Sequence, residues 1–178
     1  MKKIPLAFSG CLLGLAGVGN LLSDTFPALA HVFSLMSLVL WFFFLGHHLI
    51  HWQETRKELQ EPTLLSGMAT FPMAGMLLST YLLRLFPTFG WLAQTVWWSA
   101  FLLDLSLMLY FTKTHILLGP RAKATPSWTV LYVGIAVAAL TYPVVGVAEL
   151  AYLTLGFGFV LAFFLYPLIY CDMKKNPL

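Results

Sequence analysis

The chain has 178 residues, 60% of them hydrophobic and 10% charged, with a mean hydropathy of +0.83 and a formal net charge of +3. Such a chain has far too little polar surface to cover a water-soluble fold, so the composition is that of a polytopic membrane protein. Apolar runs of about 18 residues or more mark spanning helices, and six are drawn, at 4–22, 29–50, 64–84, 91–112, 128–146 and 150–171. Barrel strands require short alternating segments, and runs such as SLVLWFFFLG do not alternate. The expected fold class is all-α, with one transmembrane domain over 1–178 made of three helical hairpins, at 4–50, 64–112 and 128–171.

Span one, IPLAFSGCLLGLAGVGNLL, is rich in small residues, among them Ser9, Gly10 and Gly14. Lys2 and Lys3 ahead of it, with the small residues near Ala28 and Ala30, resemble a signal peptide. The interruption at Asn20 and Asp24 and the overlong apolar region argue against one, and Phe8 to Cys11 leaves almost no apolar region for a lipoprotein signal. Cys11 and Cys171 fall toward the same, reducing side, where a disulfide is not expected, and buried thiols of this kind are inert packing. Span two carries Trp41, Phe42, Phe43 and Phe44, bulk that suits lipid contact, and ends in His47, His48 and His51. The i, i+4 pair His47 and His51 is of a kind that ligates metal or haem. The bland reading is an interfacial helix end running into the charged QETRKELQE segment, and no metal site or cofactor is assigned.

Span three, EPTLLSGMATFPMAGMLLSTYLLR, departs most from a simple anchor. Gly67, Pro72 and Gly75 weaken a helix by about 1 kcal/mol for glycine and about 3 for proline, and small residues let backbones approach in a membrane. A carbonyl freed by proline is tolerable only where protein or a watery cavity satisfies it, so this helix is expected to face protein or pore. Pro62, Ser66 and Gly67 repeat Pro5, Ser9 and Gly10 at one common spacing. Arg84 closes the span, either snorkelling between Tyr81 and Phe86 or presenting positive charge to an arriving anion.

Span four holds Trp97, Trp98, Phe101 and Tyr110 and one intramembrane acid, Asp104. A charge there costs about 2.5–3.5 kcal/mol on insertion scales. The expected partner is the Met68 carbonyl freed by Pro72, so that Asp104→Asn keeps the fold while Asp104→Leu loosens it; the functional alternative is a proton-coupling site. Span five, after Pro126, is again small-residue rich and breaks at Pro143, and span six is bulky, with Phe157, Phe159, Phe163, Phe164 and Tyr166. The pattern is a repeat of about 60 residues, a small-residue inner helix followed by a bulky outer one. Inner helices packed on a common axis give wall candidates Ser9, Gly10, Gly14, Ser66, Gly67, Pro72, Gly75 and Pro143, with Phe71 as a constriction whose enlargement lowers flux and whose removal raises it. Of the ten Lys and Arg, all but Arg84 lie before span one, after span six or between spans two and three or four and five. The positive-inside rule therefore places both termini in the cytoplasm of a cell-membrane protein.

The segments PLAFSGCLLGLAGVGNLL, EPTLLSGMATFPMAGMLL with its FPM, and TPSWTVLYVGIAVAAL resemble the tellurite-resistance/C4-dicarboxylate transporter family, which includes slow-type anion channels, and the resemblance extends over essentially the whole chain. It implies ten helices as five hairpins around a central pore, with odd-numbered helices inside, often in trimers, passing C4-dicarboxylates, sulfite or related anions across the bilayer. This chain matches about the first six of those helices, so the family's ninth-helix phenylalanine gate is not carried over. A truncated product or a second chain completing the pore is the corresponding expectation. The rival readings are a haem-binding redox subunit using the histidines and a non-conducting assembly partner. No phosphate-binding glycine loop, zinc-spaced cysteine pair or nucleophile elbow occurs, so neither enzyme chemistry nor nucleic-acid binding is indicated.

Overall fold

The computed structural model describes residues 4–118 and 124–175. Lys2, Lys3, Arg121, Lys123 and residues 176–178, on which part of the charge argument rests, lie outside the described residues. Among the described residues every regular element is helical: α1 (Ser9–Leu21), α2 (Pro27–Ile50), α3 (Trp52–Glu58), α4 (Pro62–Met68), α5 (Thr70–Leu85), α6 (Gly90–Phe111), α7 (Ser127–Val133), α8 (Val137–Thr141) and α9 (Ala148–Lys175), with short 3-10 or π turns between some of them. The stretches Pro27–Ile50, Pro87–Leu117, Ser127–Val144 and Ala148–Lys174 are long and apolar enough to cross a membrane, and Leu6–Leu21 is a shorter apolar helix.

Proline sets several of these boundaries. Pro27 and Pro62 occupy the first turn of α2 and α4, where the missing N–H is not needed. The third span is two helices because the chain turns at Ala69, just ahead of Pro72, whose ring has no N–H for the Met68 carbonyl. The fifth span tightens to 3-10 geometry at Gly134–Ala136 and again at Tyr142–Val144, around Pro143. In contrast α9 runs unbroken through Pro167.

Each hairpin packs on itself, α1 on α2, α5 on α6, and α7 and α8 on α9, and the small-residue helices of successive hairpins are also neighbours, α1 with α5, α4 with α7 and α5 with α8. Burial follows the same division. Every residue from Phe71 to Ser79 is buried, while α2 and α9 expose Val39, Phe42, Phe43, Phe159, Phe163, Phe164 and Tyr166. The expectation that bulky residues of the outer helices meet lipid fails at Phe44, Trp97 and Phe101, which are buried. An apolar side chain serves a helix contact as well as a lipid contact, so bulk alone does not choose the face. The thiols of Cys11 and Cys171 are free and exposed rather than buried packing.

Two close approaches fix the register. A Cβ on Gly75 would lie 3.1 Å from the Ala100 Cβ, which sets α5 against α6. A Cβ on Gly19 would lie 2.9 Å from the Ser34 backbone nitrogen, so only glycine lets α1 come this near α2. Hydroxyls on exposed helix faces are satisfied within their own helix: Thr95, Ser99 and Ser106 donate to the carbonyls of Trp91, Thr95 and Leu102 at 2.7–2.8 Å, as an apolar surrounding requires.

Candidate functional site

The inner helices are joined by hydroxyl pairs near the ends at which they begin. The Thr70 and Ser9 hydroxyls are 2.7 Å apart, linking α5 to α1, and the Ser66 and Ser127 hydroxyls are 2.7 Å apart, linking α4 to α7. Ser9 also donates to the Leu6 carbonyl at 2.7 Å. Ser9 and Ser66 were expected on a pore wall, and the structure buries both completely. A hydroxyl held between two apolar helices takes the nearest polar partner, and here that partner is on the adjacent inner helix.

The glycines behave differently. A Cβ on Gly10, Gly14 or Gly67 would meet no atom within 4 Å, and the same holds for Gly17; Gly46 of α2 and Gly156 of α9, on the outer helices, are equally open. Gly10, Gly14 and Gly17 are spaced to share one side of α1, and the spacing was legible in the sequence although Gly17 was not singled out. The remaining wall candidates separate from this open surface. Phe71, Pro72 and Gly75 line a groove with Trp41 and Leu45 of α2 and Ala100 of α6. The Phe71 ring stacks on Trp41 with centroids 4.8 Å apart and planes 5° apart, lies 5.2 Å from Phe44, and its carbonyl accepts the Trp41 indole N–H at 3.2 Å. Phe71 is thus packed against α2. Phe71→Leu is expected to cost about 0.5–1.5 kcal/mol in lost ring contacts, read as a lowered unfolding midpoint, without the rise in flux that opening a constriction gives. Pro143 is exposed within the closing turn of the fifth span.

At the opposite ends of the same helices Asn20 is the junction. Its Oδ1 accepts from Thr80 Oγ1 at 3.1 Å and from Arg84 Nη2 at 2.8 Å, and Arg84 Nε donates to the Thr80 carbonyl at 3.3 Å. Arg84 is thus held across the end of α1 instead of simply reaching out to head groups. Asn20 registered in the sequence only as an interruption of an apolar run; its reach to α5 depends on a helix pairing that no local pattern states.

Asp104 is 1% exposed, and its Oδ1 has no hydrogen-bond partner among the described residues. The expected bond to the Met68 carbonyl is not formed. With Gly75 opposite Ala100, Asp104 lies about 6 Å further along α6 at 1.5 Å per residue, level with Phe71. The side chain therefore reaches the depth of the helix break without meeting the freed carbonyl.

Four of the five histidines lie at the two ends of α2. His48 is buried, with Nδ1 2.9 Å from the Thr55 hydroxyl, and the His47 and His51 rings are 4.7 Å apart. Among the described residues no three His, Cys, Asp or Glu side chains converge as metal ligands. His31, on the other end of α2, has Nδ1 3.0 Å from the Tyr81 hydroxyl.

The residues 3–178 match the family model described as SLAC1, voltage-dependent anion channel. No curated protein matches the chain.

Proposed function

This chain belongs to the voltage-dependent anion channel family, a family of membrane channels and transporters rather than enzymes, and from that premise we propose that it passes small anions along the open glycine surface of its inner helices. The observation that carries the reading is the empty space beside Gly10, Gly14 and Gly67 on helices whose other sides are committed to packing. A glycine wall presents backbone and no side-chain bulk, so an anion can approach helix dipoles while selectivity comes from diameter and potential. Arg84, at the outer end, adds positive potential that concentrates anions before they enter.

The substrate class is a C4-dicarboxylate, sulfite or similar small anion. The three hairpins form one transmembrane domain, with both termini on the cytoplasmic side of the cell membrane. Because the glycine face is open to one side, closing the path takes further helices opposite it, from copies of this chain in a trimer or from a second chain. Asp104 keeps a role in proton coupling only if transport responds to a pH gradient.

The test is anion efflux from vesicles reconstituted with the full chain. Gly14→Trp and Gly67→Trp are expected to lower flux by about tenfold or more by narrowing the path, while Phe43→Trp on the exposed side of α2 leaves it unchanged. Equal flux in all three variants would remove the glycine face from the conduction path.

A further inference from the structure

A second cavity, of about 340 Å³, lies in the crevice between α1, α2 and α5, away from the contacts that join the inner helices at their beginnings, and it is lined by Gly19, His31, Ser34, Tyr81 and Arg84 among others. We infer that this crevice is a binding site for an oxyanion group, a carboxylate or a phosphate, held by Arg84 and by the hydroxyl and imidazole donors around it.

The charge in the crevice is not neutralised. Arg84 makes no ion pair among the described residues, and its two hydrogen-bond acceptors, the Asn20 side-chain oxygen and the Thr80 carbonyl, are both neutral. A guanidinium carries five N–H donors, so most of the fork that matches a two-oxygen anion remains available. No Asp or Glu lines the cavity. Asp24 stands at the rim, where it is exposed and accepts from the hydroxyl of Ser23, a lining residue, at 3.2 Å, and it makes no ion pair with Arg84.

The Ser34 hydroxyl is the independent observation. Ser34 is 2% exposed and lines the cavity, yet its hydroxyl makes no hydrogen bond among the described residues, whereas the other fully packed serines, Ser9, Ser37, Ser66 and Ser79, each bond to protein. Unlike the enclosed, unpaired Asp104 Oδ1, the Ser34 hydroxyl is reached from the crevice it lines, where a ligand can accept its hydrogen bond. The glycine at position 19 is what admits the side chain, since a Cβ there would strike the Ser34 Oγ.

The His31 and Tyr81 pair contributes a donor whatever its protonation. If the Tyr81 O–H donates to Nδ1, the imidazole keeps its Nε2–H; if Nδ1–H donates to the phenol oxygen, the O–H is spare; and a cationic ring leaves both. The site therefore offers a positive fork, a serine hydroxyl and one further N–H or O–H to a single anionic group. Its volume exceeds the roughly 30 Å³ share of one water by enough for a small carboxylate or a lipid phosphate. Arg84 also stands at the entrance of the proposed path, but the crevice uses an outer helix as one wall and none of Gly10, Gly14 and Gly67 lines it, so it stands without that path.

The experiment is thermal unfolding of the full chain in neutral detergent, titrated with succinate and, separately, with short-chain phosphatidylglycerol. A saturable rise in unfolding temperature is expected with at least one probe, its half-saturation weakened by about tenfold or more in Arg84→Gln, as loss of a hydrogen bond to a charged group predicts, and by a smaller factor in Ser34→Ala. Stabilisation by succinate identifies a soluble carboxylate as the source, and stabilisation by the lipid alone identifies a head group. Gly14→Trp is expected to bind as the unmodified chain does while losing flux; in the unmodified chain, binding with no flux overturns the path and keeps the crevice, and flux with no binding does the reverse. No saturation with either probe, or one half-saturation point shared by the unmodified chain, Arg84→Gln and Ser34→Ala, overturns the inference.

Discussion

Trp97→Ala is expected to lower the unfolding free energy by about 3–5 kcal/mol, as for removal of a large aromatic from a packed interior, and to loosen the third hairpin from the second. Trp97 is 0% exposed, and its ring stacks on Phe101 with centroids 5.1 Å apart. Its indole N–H donates to the Thr141 hydroxyl at 2.7 Å, and that buried hydroxyl is 3.0 Å from the Val137 carbonyl. One side chain of α6 thus holds the end of α8 where the helix gives way to the Tyr142–Val144 turn. Trp97→Phe retains much of the volume and removes the hydrogen bond, so its effect should be nearer 1 kcal/mol. The neighbouring Trp98 is 42% exposed and meets Trp97 and Phe101 only edge-on, and it gives the contrast: Trp98→Ala removes the same atoms from a partly open face. Denaturation midpoints of the three variants in detergent decide it, and equal losses for Trp97→Ala and Trp98→Ala would show that burial against α8 is not the source of the stability.

What the sequence made legible is what hydropathy and helix-breaking residues encode. The six apolar runs are all helical, but only four form stretches long and apolar enough to cross a membrane, the first being shorter and the third divided into α4 and α5; the breaks fall beside Pro72, Gly134 and Pro143, and the small-residue helices of successive hairpins are neighbours. The side that each residue faces was not legible. In water, apolar and polar residues separate the two faces of a helix, but in a bilayer the lipid side and the packed side are both apolar. Hence Phe44 and Trp97 read as lipid-facing and are buried, and Phe71 read as pore-facing and stacks on Trp41. Pairings between helices were lost for a related reason. Ser9 with Thr70, Asn20 with Arg84 and His31 with Tyr81 depend on the register set at Gly75 and Ala100 and at Gly19 and Ser34, and no local pattern specifies a register between distant helices.

Asp104 shows how far that missing register reverses an energetic conclusion. Were its carboxyl bonded to the Met68 carbonyl, leucine would leave the acceptor unsatisfied, and Asp104→Asn would be the milder change. With no partner for Oδ1, the order inverts. Asp104 belongs to the buried stripe of α6 formed with Ala93, Trp97, Ala100, Phe101, Met108 and Phe111, a run of apolar neighbours in which an unsatisfied polar group costs about 1–3 kcal/mol. Leucine is comparable in size and brings no polar atom, so Asp104→Leu is expected to raise the unfolding free energy by about that amount, the direction seen when buried polar groups without adequate partners are replaced by apolar ones. Asp104→Asn keeps an acceptor and adds two donors to the same surroundings, so it should be no more stable than the unmodified chain. Unfolding midpoints ranked Leu above Asp, with Asn at or below Asp, fit the structure; a leucine variant less stable than the asparagine variant would mean that the carboxyl has a bonding partner in the membrane. The same pair of variants separates stability from transport. A stabilised Asp104→Leu protein that still passes anions but no longer responds to a pH gradient would assign the carboxyl to proton coupling, and one that responds unchanged would leave it a polar group the fold tolerates at the level of its own helix break.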